Sequence, residues 1–271
     1  MILNLTSLSL FYLLTQATMA LIQRLAVLVI LALIFFMTLN EELPVEDLIM
    51  LDLILVFAGL VMTLTVKSHF QQQDLQACFN KWHFTVIQGK RLLIFAGILY
   101  WFSPVLQTLT SSYSSDTIWA LTIGLTALHT ASHDYSYIND RVQHHRKQDG
   151  AVSLNTGIFA SILLASRLSC PRTVFGFMFL AFEAMAGFPI IAKQIYRFGV
   201  RLHLGFTMLL ALIATWLLLP LSKVLVGSFL CSIVVIALIC PFWLMWIQRF
   251  KNQIQGSWDY DDEDECKTGN L

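Results

Sequence analysis

Thr173–Ala192 reads TVFGFMFLAFEAMAGFPIIA, a run in which Glu183 is the one ionisable side chain. A helix of that length rises ~1.5 Å per residue and crosses the ~30 Å hydrocarbon core of a bilayer. Runs of the same kind lie on both sides of it. Before it come one within Met1–Leu39, clearest at Leu25–Leu39, then Leu48–Val66, Leu92–Leu109, Ile118–Tyr135 and Ala151–Leu168. After it come Leu202–Leu219 and Val224–Ile247. They leave short loops and no room for a separate soluble domain. The expected fold is all-α: a polytopic membrane helical bundle of about eight transmembrane helices over residues 1–250. An acidic, disordered cytosolic tail is expected over 251–271.

Composition agrees. Of 271 residues, 57% are hydrophobic and 13% charged, with mean hydropathy +0.69. Soluble domains carry ~25% charged residues. The net charge is zero, which gives no electrostatic pull toward nucleic acid. Met1–Leu39 exceeds one span and is interrupted by Gln16, Gln23 and Arg24. One long tilted helix with an interfacial start is the expected form. This apolar segment has neither a basic leader nor a small-residue cleavage site, so it reads as retained.

Charge placement tests the threading. Lys67, Lys81, Lys90, Arg91, Arg141, Arg146, Lys147, Lys193, Arg197, Arg201, Arg249, Lys251 and Lys267 all fall beyond the ends of even-numbered spans. The opposite loops hold Arg167, Arg172 and Lys223, and Arg24 sits within the first span. Lysine and arginine accumulate in cytosolic loops. Both termini are therefore expected in the cytosol, and the loop Asn40–Asp47, with Glu41, Glu42, Glu46 and Asp47, in the lumen. The tail segment Asp259–Glu265 reads DYDDEDE, a solvated charge run.

Few groups suggest chemistry. Cys78, Cys170, Cys231, Cys240 and Cys266 form no CxxC pair and read as small buried hydrophobes. His129 and His133 share a helix face at a metal-ligand spacing, with His144 and His145 following. Histidine-box di-iron enzymes use about eight histidines in several boxes, whereas here His69, His83 and His203 are scattered. Interfacial hydrogen bonding is the simpler reading, and a metal-dependent membrane enzyme remains the alternative. Asp259-x-Asp261 mimics a nucleotide-sugar DxD motif but stands inside the acidic run.

Glu183 lies mid-span, where an ionised acid costs a few kcal/mol. It must face a partner, a cavity or another subunit, or carry a proton. Arg167 ends the fifth span and can snorkel or pair with a carboxylate. Ser153, Asn155, Ser161 and Ser166 give that span small and polar positions suited to close helix contact. Pro104, Pro189 and Pro241 each remove a backbone donor within or beside a span. No catalytic set, cofactor site or metal site emerges. A transporter is disfavoured by the scarcity of buried charge and of paired broken helices.

Several ordered motifs carry a resemblance. They are Phe102-Ser103-Pro104-Val105-Leu106, Thr108-Leu109-Thr110, Asp116-Thr117-Ile118 and Asp134-Tyr135. Next come Ser153-Leu154-Asn155, Ile158-Phe159-Ala160-Ser161 and Leu164-Ala165-Ser166-Arg167-Leu168. The series closes with Cys240-Pro241-Phe242, Phe250-Lys251, Ile254, Gly256 and Trp258-Asp259. From Tyr100 to Asp259 this order resembles the phosphatidylinositol glycan class C (PIG-C) family.

The resemblance implies a non-catalytic, multi-pass subunit of the endoplasmic reticulum complex that moves N-acetylglucosamine from UDP-GlcNAc to phosphatidylinositol. Its implied partners are a catalytic PIG-A-type subunit, other small membrane subunits and phosphatidylinositol. Ser103, Pro104, Asp116, Asp134, Ser153, Asn155, Ser161, Arg167, Glu183 and Trp258 are the candidate packing or lipid-contact residues. The polar segment that precedes the family's first helix reads as absent, and the loop Ile138–Gly150 as expanded and rich in charge and histidine.

Overall fold

A computed structural model describes residues 2–70, 75–109, 113–133, 149–239, 241–243 and 246. Asp134, Trp258, His144, His145 and the tail 251–271 lie outside them. Among the described residues every regular element is a helix. They are α1 Ile2–Leu39, α2 Val45–Phe70, α3 Leu75–Thr108, α4 Ser115–Ala131, α5 Asp149–Ala165, α6 Pro171–Phe182, α7 Phe188–Phe198, α8 Val200–Leu218 and α9 Lys223–Val234. A π-helical segment, Glu183–Gly187, joins α6 to α7 in one continuous span. A second, Val235–Ile239, extends α9.

Local chemistry sets the helix ends. Ser114 caps α4 by accepting the Thr117 amide at 3.3 Å, and Ser222 caps α9 by accepting Val224 at 3.2 Å. Pro171 opens α6, where its missing N–H has no cost. Gly199, at φ 154°, makes the abrupt joint between α7 and α8 that a residue with a Cβ would strain to adopt.

The helices run in alternating directions. Phe35 of α1 packs on Phe177 of α6 at 5.4 Å, while Arg24 reaches Met185, so these two are antiparallel. Leu48 opposes Gly176 and Gly59 opposes Ile191, so α2 runs parallel to α6–α7. Phe95–Phe182 and Tyr100–Phe175 contacts make α3 antiparallel to α6. One end of the bundle, here the near end, carries Leu39, Val45, Ser115, Pro171 and Lys223. The far end carries the termini of α2 and α7 and the start of α3.

Among the described residues, six segments have the length and hydropathy to cross a membrane: Thr18–Leu39, Val45–Val66, Gly89–Thr108, Pro171–Phe198, Val200–Leu218 and Lys223–Trp243. The first is one unbroken helix with α1's N-terminal half, as expected. The fourth and fifth expected spans are shorter than read from the sequence. α4 and α5 have 17 residues each, about 25 Å: α4 runs Ser115–Ala131 and α5 Asp149–Ala165, so each begins and ends a few residues before the expected span and is one residue shorter than it.

The core lies where α1 meets α6. Leu31, Phe35, Leu48, Val174, Phe177 and Leu180 are buried there, and Trp119 of α4 stacks on Phe36 with ring centroids 5.4 Å apart. A second cluster packs α8 and α9 on the other side of α1 through Ala26, Leu33, Ala214, Leu218 and Phe229. In lipid such contacts gain little from the hydrophobic effect, because acyl chains are as apolar as leucine. Close packing and polar bonds between helices must hold the bundle together.

Candidate functional site

The polar bonds concentrate on α1. Arg24 is 2% exposed. Its Nη1 donates to the carbonyl of Ala184 at 3.0 Å and its Nη2 to that of Met185 at 3.2 Å. The sequence explains why those two carbonyls accept an outside donor. Pro189 has no N–H. In α-helical register that N–H would serve Met185, and in π-helical register Ala184. The helix widens to π over Glu183–Gly187, with Phe188 N–H bonding Glu183 O, and the guanidinium donates to both carbonyls that the one missing Pro189 N–H could have served in either register.

Gln23, one residue earlier, joins α1 to α8. It is 1% exposed and its amide donates to Thr207 Oγ1 at 2.7 Å and to His203 O at 3.4 Å. Thr207 in turn donates to His203 O at 2.8 Å.

α4 and α5 are clamped at His129, which is fully buried. Ser153 Oγ donates to the His129 carbonyl at 2.9 Å, while His129 Nδ1 lies 2.5 Å from the Ser153 carbonyl. That geometry places a proton on Nδ1, and Nε2 has no partner among the described residues. Gly157 permits the arrangement. A Cβ there would sit 2.8 Å from His129 Nδ1 and 2.9 Å from Met185 Sδ. α4, α5 and the π segment therefore meet at one glycine, and Arg24 lies within electrostatic reach of His129. His133 is 6.0 Å from His129, ring to ring. Among the described residues no three His, Cys, Asp or Glu side chains converge as a metal site.

Glu183 opens the π segment. Neither of its carboxyl oxygens has a hydrogen-bond partner among the described residues, and Asp52 Oδ1 has none either. Asp52, 4% exposed on α2, is close enough to Glu183 for their charges to act on each other. Measured along their helices from the near end, Arg24, His129, Glu183 and Ser153 stand roughly 18–22 Å deep. They form one level, nearer the far end.

The near end is held by a separate clasp. Ser103, 2% exposed, donates through Oγ to the Pro171 carbonyl. Gln107 donates to the carbonyls of Ser169 at 2.7 Å and Leu168 at 3.3 Å. Arg167 Nη2 donates to Tyr113 O at 2.7 Å. The SPV and ASRL motifs, distant in sequence, thus meet in one set of side-chain to backbone bonds.

The other singled-out residues fall outside both centres. Pro104 is exposed within α3, and Asp116 is exposed in the first turn of α4. Ser161 is buried but donates to Gly157 O of its own helix at 2.9 Å. Asn155 is exposed on α5. Sequence reading missed Gln23, Arg24, Asp52, Gly157 and His203 as site residues. A charge within an apolar run is a signal in itself, and it would have found Arg24 and Asp52. Gly157 left no such signal.

A family model described as phosphatidylinositol N-acetylglucosaminyltransferase matches residues 4–259. The chain is 35% identical over 237 residues to the putative C subunit of phosphatidylinositol N-acetylglucosaminyltransferase from Dictyostelium discoideum, covering 88% of this chain and 65% of that protein. It is 37% identical over 172 residues to the C subunit of the same transferase from Homo sapiens, covering 63% of this chain and 55% of that protein. The chain thus spans less than two thirds of the length of these relatives. No solved structure gives a significant match. Neither relative's name supports the metal-enzyme or transporter alternatives. With one match running from the start of α1 to Asp259, the chain belongs to the phosphatidylinositol N-acetylglucosaminyltransferase family, whose class C members its motifs resemble.

Proposed function

We propose that this chain is a non-catalytic, lipid-presenting membrane subunit of the complex that transfers N-acetylglucosamine from UDP-GlcNAc to phosphatidylinositol. That transfer is the first step of GPI-anchor biosynthesis and takes place at the endoplasmic reticulum membrane. The sugar-transfer site belongs to a PIG-A-type subunit, and other small membrane proteins complete the assembly. The far end of the bundle faces the cytosol. Lys90, Arg91, Lys193, Arg197 and Arg201 stand at that end, against Arg167, Arg172 and Lys223 at the near end, in the sense that positive-inside bias requires.

The observation that carries the reading is the family match over residues 4–259. The use made of polar side chains supports it. Arg24, Gln23, Ser103, Gln107 and Ser153 spend their donors on backbone and side chains of neighbouring helices. Such groups tie a scaffold together.

Membranes from cells lacking this chain are assayed for GlcNAc-phosphatidylinositol formation from UDP-GlcNAc. Product is expected to disappear and to return when the chain is restored. The purified chain, given both substrates, is expected to form none. Product from the isolated chain, or undiminished product without it, overturns the proposal.

A further inference from the structure

α4 and α5 form a hairpin that is short beside its neighbours. α2 continues past it to Phe70 and α7 to Phe198. Within α4 the stretch without a charged residue or histidine is Ile118–Leu128, about 16 Å long, and it is itself interrupted by Thr122 and Thr126. Ser115, Asp116 and Thr117 precede it, and His129, Thr130, Ser132 and His133 follow. Neither helix can fill ~30 Å of hydrocarbon with apolar side chains. A helix shorter than the bilayer draws the headgroups inward beside it.

Asn155 supplies a second, independent observation. It is exposed on α5, and among the described residues its amide has no hydrogen-bond partner. From Ala165 it lies about 15 Å along the helix, level with the middle of the hydrocarbon. An unbonded amide facing acyl chains is costly, because nothing there replaces its water. Both facts are resolved by one occupant.

We propose that the outer face of the α4–α5 hairpin is a hydrated notch that admits phospholipid headgroups from the far-end leaflet, its floor roughly 15 Å below their usual plane. The Asn155 amide forms its floor. It offers N–H donors to phosphate or polyol oxygens and a carbonyl to hydroxyls. The inference needs the bundle to sit in a bilayer but not its assembly into a transferase, so the two can fail separately.

The test uses the full chain with its five cysteines replaced by serine, in phosphatidylcholine vesicles containing phosphatidylinositol. A nitroxide is attached at Asn155→Cys, and separately at Val152→Cys, which keeps the amide. The control is Phe57→Cys, exposed on α2 at a similar depth. Collision rates with a water-soluble nickel complex and with oxygen are measured by electron paramagnetic resonance. The nickel rate at 155 and 152 is expected to exceed that at 57 by at least about fivefold, with oxygen reduced. Oxygen-dominated spectra at both positions, like the control, overturn the proposal. Exclusion of both reagents also overturns it, because protein then covers the face.

Discussion

Replacing Arg24 by leucine removes both donors from the Ala184 and Met185 carbonyls and leaves them buried. In water, hydrogen bonds to charged groups contribute about 1.5–3 kcal/mol each. Inside membrane bundles, measured interhelical bonds fall nearer ~0.6–2 kcal/mol, because the separated helices also find partners. Two bonds therefore predict a loss of about 1–4 kcal/mol for Arg24→Leu. Arg24→Lys keeps the charge but lacks the planar fork that spans two carbonyls, and should lose about half as much.

The decisive perturbation is Pro189→Ala. It restores an N–H that can serve Met185 from within the helix, so the guanidinium becomes less necessary. In the double mutant, Arg24→Leu should then cost about 1–2 kcal/mol less than it does alone. Reversible unfolding in mixed detergent micelles, followed by circular dichroism, gives all four corners of the cycle. Additivity within about 0.5 kcal/mol would falsify the claim that Arg24 replaces the missing proline donor.

Gly157→Ala should destabilise the bundle by about 1–3 kcal/mol, since the methyl group meets His129 Nδ1 and Met185 Sδ inside 3.0 Å; an unchanged midpoint in the same unfolding assay would mean the three helices can separate freely. Glu183→Leu should leave insertion intact and thermal stability equal or higher, because neither carboxyl oxygen is bonded among the described residues. Recovery of other membrane subunits should nevertheless fall on affinity purification, and normal recovery counts against an assembly role. Ser153→Ala strips the His129 carbonyl of its donor at 2.9 Å and should cost about 1 kcal/mol, with faster amide exchange in α4 as the readout. Gln107→Leu should loosen the near-end clasp and raise proteolysis at 166–170 without altering the far end.

The all-α architecture and the alternation of helix direction were legible because hydrocarbon imposes a length and a composition on each span. The run at 173–192 says as much about its surroundings as any tertiary contact does. Glu183 was visible for the same reason: a charge among twenty apolar positions conflicts with its solvent. The helix ends of α4 and α5 were not legible, because Leu128–His133 and Ala165–Leu168 lack a glycine or proline to mark where the backbone turns away.

The sequence by itself determined that this chain is an all-helical protein with apolar, membrane-length segments, and which family's motifs it carries. Those properties depend on local hydropathy and residue order. Only tertiary structure decided that Arg24 answers Pro189 across two helices, that Ser103 and Gln107 grip the turn before α6, and that Gly157 is the point where three helices touch. Each of these pairs residues far apart along the chain, and a hydrogen bond or a steric contact depends on separation in space, which residue order does not specify.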